Sequence, residues 1–240
     1  MRWLARLVLI ASAFAAAPAQ AQQVVTVVDE WVVDDGASRF VSEPVAQADE
    51  HAVAAYGPFR VLDGAHAALV DVTDRASPGE FAAMLHDFPS LRTLELLDCP
   101  GTIEDAANLR LGRMIRAAGL ATRVPNGGSV RSGGVELFLA GRTREIADGA
   151  EFAVHAWEDQ DGQQAGDYPA TAPENAKYIA YYREMGMNAA TAKAFYAMTN
   201  SAPFEHPLWL TGADIRPWSD AERDDGAPHL AYLDLAGSLN

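Results

Sequence analysis

The fold is decided by one stretch of the sequence, residues 93–157, which reads TLELLDCPGTIEDAANLRLGRMIRAAGLATRVPNGGSVRSGGVELFLAGRTREIADGAEFAVHAW. Its short apolar runs, separated by turn residues, predict strands at Leu94–Leu97, Ala121–Val124 and Glu151–Ala156. Between them the pattern predicts a helix at Ile103–Ala118, which Gly119 ends, and a short apolar helix at Gly133–Ala140. Strands and helices that alternate at this spacing predict crossover connections and a largely parallel α/β sheet covered on both faces.

Weaker patterns flank this stretch on both sides. They predict a strand at Ala67–Val72 and helices at Pro78–Leu85, Pro173–Met185 and Thr191–Met198. Ser77 precedes the first of these helices and is assigned as its N-cap. The β-branched run Val24–Val33 predicts a strand, whereas the polar, Ala-rich residues from Asp34 to Phe59 show no clear pattern. We therefore expect one α/β domain at residues 59–240, after an N-terminal extension at residues 22–58.

Composition excludes several partners. The 240 residues carry a net charge of −15, with 33 acidic and 18 basic side chains. Nucleic acids and anionic membranes need clustered Lys and Arg, so neither is expected as a partner. The single cysteine, Cys99, cannot form an intrachain disulfide, and we expect a buried structural thiol.

The N-terminus predicts export. Arg2 and Arg6 precede the apolar run Leu7–Ala17, and Ala-Gln-Ala follows at residues 19–21. A basic segment, a short apolar run and a small-residue cleavage site form a secretory signal peptide. We assign residues 1–21 to it and expect a periplasmic protein; the alternative is an uncleaved amphipathic first helix.

Three segments within the decisive stretch carry candidate chemistry. The turn Cys99–Thr102 and the Gly-rich run at residues 127–134 each lead into a helix, and His155 ends a strand. Ser132 lies at the start of a helix, where unpaired amides favour a developing oxyanion. Because ligands gather at the carboxyl ends of parallel strands, Ser132 and His155 are expected to meet there. Taken singly, each has a plainer interpretation: Ser132 as a helix cap and His155 as a structural residue.

The same stretch resembles the core of the Clp-protease-like serine peptidases, and most of all their exported bacterial members. The resemblance rests on the turn Cys99–Thr102, the helix after it, Ser132 in its Gly-rich loop, the segment Ala140–Arg144, which matches an AG-x-x-R turn, and His155. It covers about a quarter of the chain strongly and extends more faintly from Phe59 to about Ile215. It implies a repeated ββα superhelical core, of the kind that crotonases share, flanked by helices.

The resemblance implies acyl transfer at a Ser-His site. His155 would take the proton of Ser132, whose oxygen would attack a peptide or ester carbonyl. The amides of Gly133 and of Gly101 or Thr102 would hold the oxyanion. Thr102 stands where the family has its second glycine and adds a β-carbon there. Arg131, beside the nucleophile, either binds a substrate carboxylate or points to solvent.

The resemblance also suggests a third catalytic residue, before the cap of a late helix. Thr211 is predicted as that cap, with Asp214 as its capping-box partner. Glu205 is then the expected acid, and Asp214 is the alternative. A Ser–Lys dyad would need Lys177 or Lys193, the two lysines of the chain, and neither has a matching motif.

Three functional hypotheses follow from the resemblance. The first is an exported serine hydrolase, an ATP-independent peptidase that takes peptide or protein substrates and forms homo-oligomers. The second is an inactive Clp-like protein with a periplasmic binding or assembly role. The third, a crotonase-type acyl-CoA enzyme, is disfavoured by export, so no CoA is expected. No metal or other cofactor is expected either, since one thiol cannot build a structural zinc site and the histidines lack paired spacing: His51, His66, His86, His155, His206 and His229.

Overall fold

The computed structural model describes residues 51–219. The predicted signal peptide and most of the predicted extension lie outside these residues, and the domain boundaries therefore stay predictions. In chain order the strands are β1 (Ala54–Tyr56), β2 (Phe59–Val61), β3 (His66–Leu69), β4 (Thr93–Leu96), β5 (Asp98–Cys99), β6 (Ala121–Val124), β7 (Ser129–Arg131), β8 (Arg144–Ile146), β9 (Glu151–Val154) and β10 (Leu208–Thr211). The helices are α1 (Ser77–Asp87), α2 (Asp105–Ala118), α3 (Gly133–Leu139), α4 (Pro173–Glu184), α5 (Ala189–Thr199) and α6 (Gly212–Ser219).

The strands form two sheets that are mostly parallel. The larger sheet has the order β1-β2-β3-β4-β6-β8, and its pairs are parallel from β3 to β8. The smaller has the order β10-β9-β7-β5, in which β5, β7 and β9 are parallel and β10 is antiparallel. The predicted α/β class, with largely parallel strands flanked by helices, is confirmed.

Successive ββα units build both sheets at once. In the units β4-β5-α2 and β6-β7-α3, the first strand joins the larger sheet and the second joins the smaller. Strands β8 and β9 repeat the first part of this pattern. A parallel bridge between Thr73 and Thr102 extends it to the segment before α1. The repeated ββα core that the resemblance implies is therefore present, and it stacks equivalent turns beside one another.

Alternating burial in β4 shows how the larger sheet faces the core. Leu94 and Leu96 are fully buried, whereas Glu95 between them points to the opposite face. Along that face Glu95, Arg123 and Glu145 lie in register on β4, β6 and β8, and Arg123 pairs with the two carboxylates at 3.2 and 3.9 Å. Arg123 and Glu145 are exposed. The expectation that both faces are covered therefore fails along this row.

Helix ends agree with the predicted positions to within about two residues, and two of the predictions at helix starts need correction. Gly119 ends α2 in the left-handed region, with φ of 72°, as its place after the helix predicts. Ile103 is not part of α2, which starts at Asp105, and its side chain is 78% exposed. Ser77 is the first residue of α1 rather than its cap, because the Asp74 carboxylate accepts the amide hydrogens of Ala76 and Ser77 at 2.8 and 3.0 Å.

Cys99 is a buried structural thiol, as predicted. This residue of β5 is 1% exposed in the core, and its Sγ atom lies 3.6 Å from the carbonyl oxygen of Leu69. Burial raises the pKa of this thiol well above its ordinary value. Within residues 51–219, no helix combines the length and the apolar character that a bilayer crossing needs.

Close packing between α2 and α4 generates a prediction. A methyl group at Gly112 would lie 1.9 Å from the Tyr181 hydroxyl, which is fully buried and donates to the Glu136 carbonyl at 2.7 Å. Gly112→Ala should therefore lower the free energy of unfolding by about 1–3 kcal/mol, although alanine favours helix by ~1 kcal/mol. Urea unfolding measures the change. Gly79→Ala in α1 is the control, because a methyl group there meets open space and should stabilise the protein. A stabilised Gly112→Ala variant would contradict the packing described.

Candidate active site

Ser132 has a strained backbone conformation. It lies between β7 and α3 with φ of 48° and ψ of −126°, and it is the only non-glycine residue with positive φ in the described part of the chain. Such a conformation costs about 1–3 kcal/mol and persists only where the surrounding structure fixes it. A sharp strand-to-helix turn of this kind exposes its side chain beyond the end of the sheet.

Neighbouring backbone fixes the Ser132 turn on both sides. The Ser132 amide donates to the Ala153 carbonyl at 2.9 Å, and its carbonyl accepts the Val135 amide at 2.9 Å. Gly101, with φ of 124°, lies so close that a β-carbon there would be 2.8 Å from that of Ser132. Glycine is therefore required at residue 101 to let the two turns approach.

Ser132 and His155 each follow one of two neighbouring parallel strands. Strands β7 and β9 pair in a register that puts Arg131 opposite Ala153. Ser132 and His155 therefore follow the carboxyl ends of adjacent strands, and both line one cleft. This is the arrangement that the order of strands and helices predicts.

The His155 imidazole is oriented by backbone and by an aromatic ring. Its Nδ1 lies 2.8 Å from the Ala156 carbonyl oxygen, and the Phe204 ring contacts it edge-on at a centroid distance of 4.8 Å. A carbonyl oxygen only accepts hydrogen bonds, so this contact is a bond when Nδ1 carries the proton. In that tautomer Nε2 is free to act as a base.

The residues predicted to hold the oxyanion, Gly101, Thr102 and Gly133, lie close to one another. The Thr102 methyl carbon would lie 2.7 Å from a β-carbon at Gly133, so the two residues are in close contact. The Thr102 hydroxyl bonds to the Thr73 carbonyl at 3.1 Å, turned toward the backbone. Gly101 and Gly133 thus flank Ser132, and the methyl group of Thr102 lies between their turns and narrows the space there.

A buried polar chain ties these turns together. The Thr73 hydroxyl donates to the Asn108 side-chain oxygen at 2.9 Å, and the Asn108 amide group donates to the Gly133 carbonyl at 2.8 Å. The Thr73 amide also donates to the Gly101 carbonyl at 3.0 Å. Thr73 and Asn108 are only 1% and 2% exposed, where a lost hydrogen bond costs about 1–3 kcal/mol. Asn108 is therefore a positioning residue, which the sequence pattern of α2 does not reveal.

The weaker predicted residues lie elsewhere. Glu205 is exposed and makes no hydrogen bond or ion pair within residues 51–219, and Asp214 accepts the Thr211 amide at 2.8 Å at the start of α6. Neither lines the cleft, and the atom that meets His155 Nδ1 is a backbone oxygen. Lys177 and Lys193 do not line the cleft either. The expectation of an acid or lysine partner thus gains no support from the structure.

Arg131 points away from the cleft. Its guanidinium bonds to the Asp98 carboxylate at 2.6 Å and to the Ser129 hydroxyl at 3.2 Å, on the neighbouring strand and on its own. This ion pair holds the Arg131 side chain along the sheet. The suggested role of Arg131 in binding a substrate carboxylate stays a prediction.

Sequence reasoning missed the two carboxylates of the cleft, Asp105 and Glu136. Glu136 is the only charged residue of α3, whose seven residues are all buried, and it is 8% exposed. A lone charge in an apolar helix was the signal that could have found it. Asp105 begins α2 and accepts a hydrogen bond from Tyr178, which lines the cleft from α4.

The environment of Glu136 disfavours its ionised form. Burial raises the pKa of Glu136 from 4.5 to about 7, against the opposing effect of a hydrogen bond from Tyr182 at 2.6 Å. The Asp105 carboxylate raises it further. The cleft therefore holds a carboxyl group that changes charge near neutral pH.

The chain shows similarity to solved structures but not to any protein-family profile or curated protein. Among solved structures, the chain is similar to a mutant of ClpP1 from Listeria monocytogenes, with 13% identity, coverage of 69% of this chain and 96% of that one, and a TM-score of 0.48. It is also similar to the 1510-N membrane protease specific for a stomatin homolog from Pyrococcus horikoshii, with 15% identity, coverage of 63% and 68%, and a TM-score of 0.41.

A mutant of the 1510-N membrane-bound stomatin-specific protease, in complex with a substrate peptide, shows 17% identity, coverage of 64% of this chain and 72% of that one, and a TM-score of 0.41. One of these structures, the ClpP1 mutant, is of the kind that the sequence resembles. Because these TM-scores and identities are low, the function is inferred below from the geometry of the cleft.

Glu136 makes stability depend on pH. Its pKa is 4.5 in an ordinary environment and about 7 here, so between these values the native protein binds more protons than the unfolded chain and loses stability as pH rises. A shift of this size is worth about 3 kcal/mol. Glu136→Gln keeps an acceptor for Tyr182 and cannot ionise. Wild type should therefore lose stability relative to Glu136→Gln as the pH rises. The difference in free energy of unfolding, variant minus wild type, should increase by about 3 kcal/mol between pH 4 and pH 8.

Urea unfolding at several pH values measures this difference. Glu145→Gln, at an exposed position on β8, is the matched control and should show no comparable pH-dependent gain. A Glu136→Gln difference that stays constant across the range would show that Glu136 ionises normally in the native protein.

Proposed function

We propose that the protein is a serine hydrolase that cleaves peptides, with Ser132 as nucleophile and His155 as general base. The observation that carries this proposal is the strained backbone of Ser132, a residue that lines the same cleft as His155. A serine that merely capped a helix would not need positive φ, since caps adopt extended conformations.

The proposed reaction proceeds by acylation and then deacylation of Ser132, with His155 carrying the proton. Ser132 Oγ attacks the carbonyl carbon of the substrate while its proton passes to Nε2 of His155. The bond to the leaving nitrogen then breaks, and the imidazolium gives its proton to that nitrogen. Water, activated by the same imidazole, attacks the resulting ester and releases the acid, which regenerates Ser132.

The turns beside Ser132 supply the oxyanion donors in this proposal. The Gly133 amide begins α3, and the Gly101–Thr102 turn lies against Ser132 from the other side. Removal of one such donor typically lowers the rate by about 10²–10³. Asn108 holds the two turns at a fixed separation through Thr73 and Gly133, so the donors are positioned before substrate binds.

The group that contacts His155 Nδ1 is a backbone carbonyl, and this affects the expected rate of hydrolysis. A backbone carbonyl selects the tautomer as a carboxylate does, but it carries no charge to stabilise the imidazolium. In a well-studied serine protease, replacing the acid by its amide lowers turnover about 10⁴-fold. We therefore propose a slow hydrolase. Because an ATP-dependent unfoldase is not expected outside the cytoplasm, we also propose that the exported enzyme acts without ATP, on flexible chains.

A second candidate is an inactive binding or assembly protein. Two observations favour it: the Thr102 methyl group packs against Gly133, and the contact at His155 Nδ1 is a neutral carbonyl. Export to the periplasm, supported by the basic and apolar pattern of residues 1–21, and homo-oligomer formation are proposals common to both candidates.

A fluorophosphonate probe separates the two candidates. The probe reacts far faster with an activated serine than with other side chains, so wild type should gain one probe mass and Ser132→Ala should gain none. His155→Ala removes the base and should slow labelling by about 10²–10⁴. Intact-protein mass spectrometry over time measures both effects.

The control for this labelling is Ser90→Ala, at an exposed turn remote from the described site in the sequence. It should be labelled at the wild-type rate. Absence of labelling in folded wild-type protein, or labelling that persists in Ser132→Ala, would reject the proposed nucleophile.

A further inference from the structure

The cleft that holds Ser132 and His155 has a wall of acidic and aromatic side chains. These are Asp105, Glu136, Trp157, Tyr178, Tyr182 and Tyr196. Three of these rings form a stack, in which Tyr178 lies 6.3 Å from Trp157 and 5.9 Å from Tyr196 between ring centroids. The ring of Tyr182 lies outside this stack and contacts Phe195 edge-on. A substrate bound at Ser132 therefore meets flat π-faces and carboxylates in the same cleft.

The tyrosine hydroxyl groups do not offer free hydrogens to a ligand. Tyr178 donates to Asp105, Tyr182 donates to Glu136 at 2.6 Å, and Tyr196 donates to Asn175. Burial raises the pKa of the Tyr182 hydroxyl, which keeps its proton. The polar groups left over on this wall are consequently acceptors.

Asn200 adds an acceptor without a donor. Its amide nitrogen donates to the Tyr196 carbonyl at 2.7 Å and lies 3.2 Å from the Thr199 hydroxyl, which fixes which side-chain atom is oxygen. The Asn200 side-chain oxygen is buried and has no hydrogen-bond partner among the described residues, yet Asn200 lines the cleft. A buried acceptor left unsatisfied costs about 1–3 kcal/mol, and a ligand donor would remove that cost.

The charge of Glu136 is also uncompensated. Within residues 51–219 it forms no ion pair with Lys, Arg or His. Asp105 differs, because the Lys177 ammonium lies 3.9 Å from its carboxylate. That ammonium also lies 4.8 Å from the centroid of Tyr178 and 5.7 Å from that of Trp157. Lys177 itself does not line the cleft, and its ammonium shows only that these two rings and the Asp105 carboxylate attract a cation.

We propose that this wall is the specificity pocket for a basic substrate side chain, lysine or arginine, next to the bond that Ser132 attacks. The cationic nitrogen donates to Glu136 and Asn200, and the aliphatic stem lies on the tyrosine rings. This inference rests on the proposed function for the position of the cleaved bond, but not for the binding itself. The net charge of −15 attracts such substrates from a distance.

Binding to the full-length Ser132→Ala protein tests the pocket without any catalysis. Isothermal titration compares N-acetyl-lysine methylamide and its arginine counterpart with the norleucine compound, which has a similar apolar stem and no charge. At least one of the basic compounds should bind tenfold or more tightly than the norleucine compound. Equal affinity for all three compounds would overturn the proposal.

The source of any preference is tested by two further variants in the same background. Glu136→Gln should abolish the preference for the basic compounds, whereas Glu145→Gln, at an exposed position on β8, should keep it. A preference that survives Glu136→Gln would overturn the assignment to this wall. Charge selectivity in a protein that the fluorophosphonate probe does not label would leave the pocket in place and reject only the hydrolase, so the two failures are distinguishable.

Discussion

The strained turn at Ser132 is the constraint on which the site depends. A residue with a β-carbon is held at positive φ because three neighbours fix it: the Ala153 carbonyl, the Val135 amide and the backbone of Gly101, which approaches too closely for any side chain. Ala153 lies on β9 and Gly101 follows β5, so the turn after β7 exists only when these three strands of the smaller sheet have paired. The strain, about 1–3 kcal/mol by general experience, is offset by packing that the rest of the fold supplies.

Polar groups inside the core extend this constraint to the residues around Ser132. Thr73 and Asn108 join the turn at Gly101 to the turn at Gly133 through buried hydrogen bonds, and Glu136 lies one turn further along α3. In an apolar interior such groups are costly unless they are paired. Asn108 uses both its side-chain oxygen and its side-chain nitrogen, whereas Glu136 accepts a hydrogen bond from Tyr182 and forms no ion pair within residues 51–219. Helix α3 therefore contributes both to the hydrophobic core and to the lining of the cleft.

Sequence patterns predict the local elements well, because their periods and end signals lie within a few residues. Strand β6 matches its predicted bounds, Gly119 ends its helix, and Ser132 and His155 reach the same cleft. Contacts between distant segments are not encoded in such patterns. Tyr182 and Asn200 reach Glu136 and the cleft only through the packing of α4 and α5, and the backbone oxygen that contacts His155 leaves no trace in residue type. Glu205, inferred from the order of family elements alone, lies exposed in a loop whose conformation no sequence period determines.

The proposed chemistry requires Ser132 and His155 to act together on a carbonyl group that the neighbouring amides hold. A crystal structure of the protein after reaction with a fluorophosphonate tests it most directly. We expect phosphorus bonded to Ser132 Oγ, its free oxygen within hydrogen-bond distance of the Gly133 amide, and His155 Nε2 facing the adduct. An adduct at another residue, or one at Ser132 with the imidazole turned away and the phosphoryl oxygen in solvent, would contradict the account.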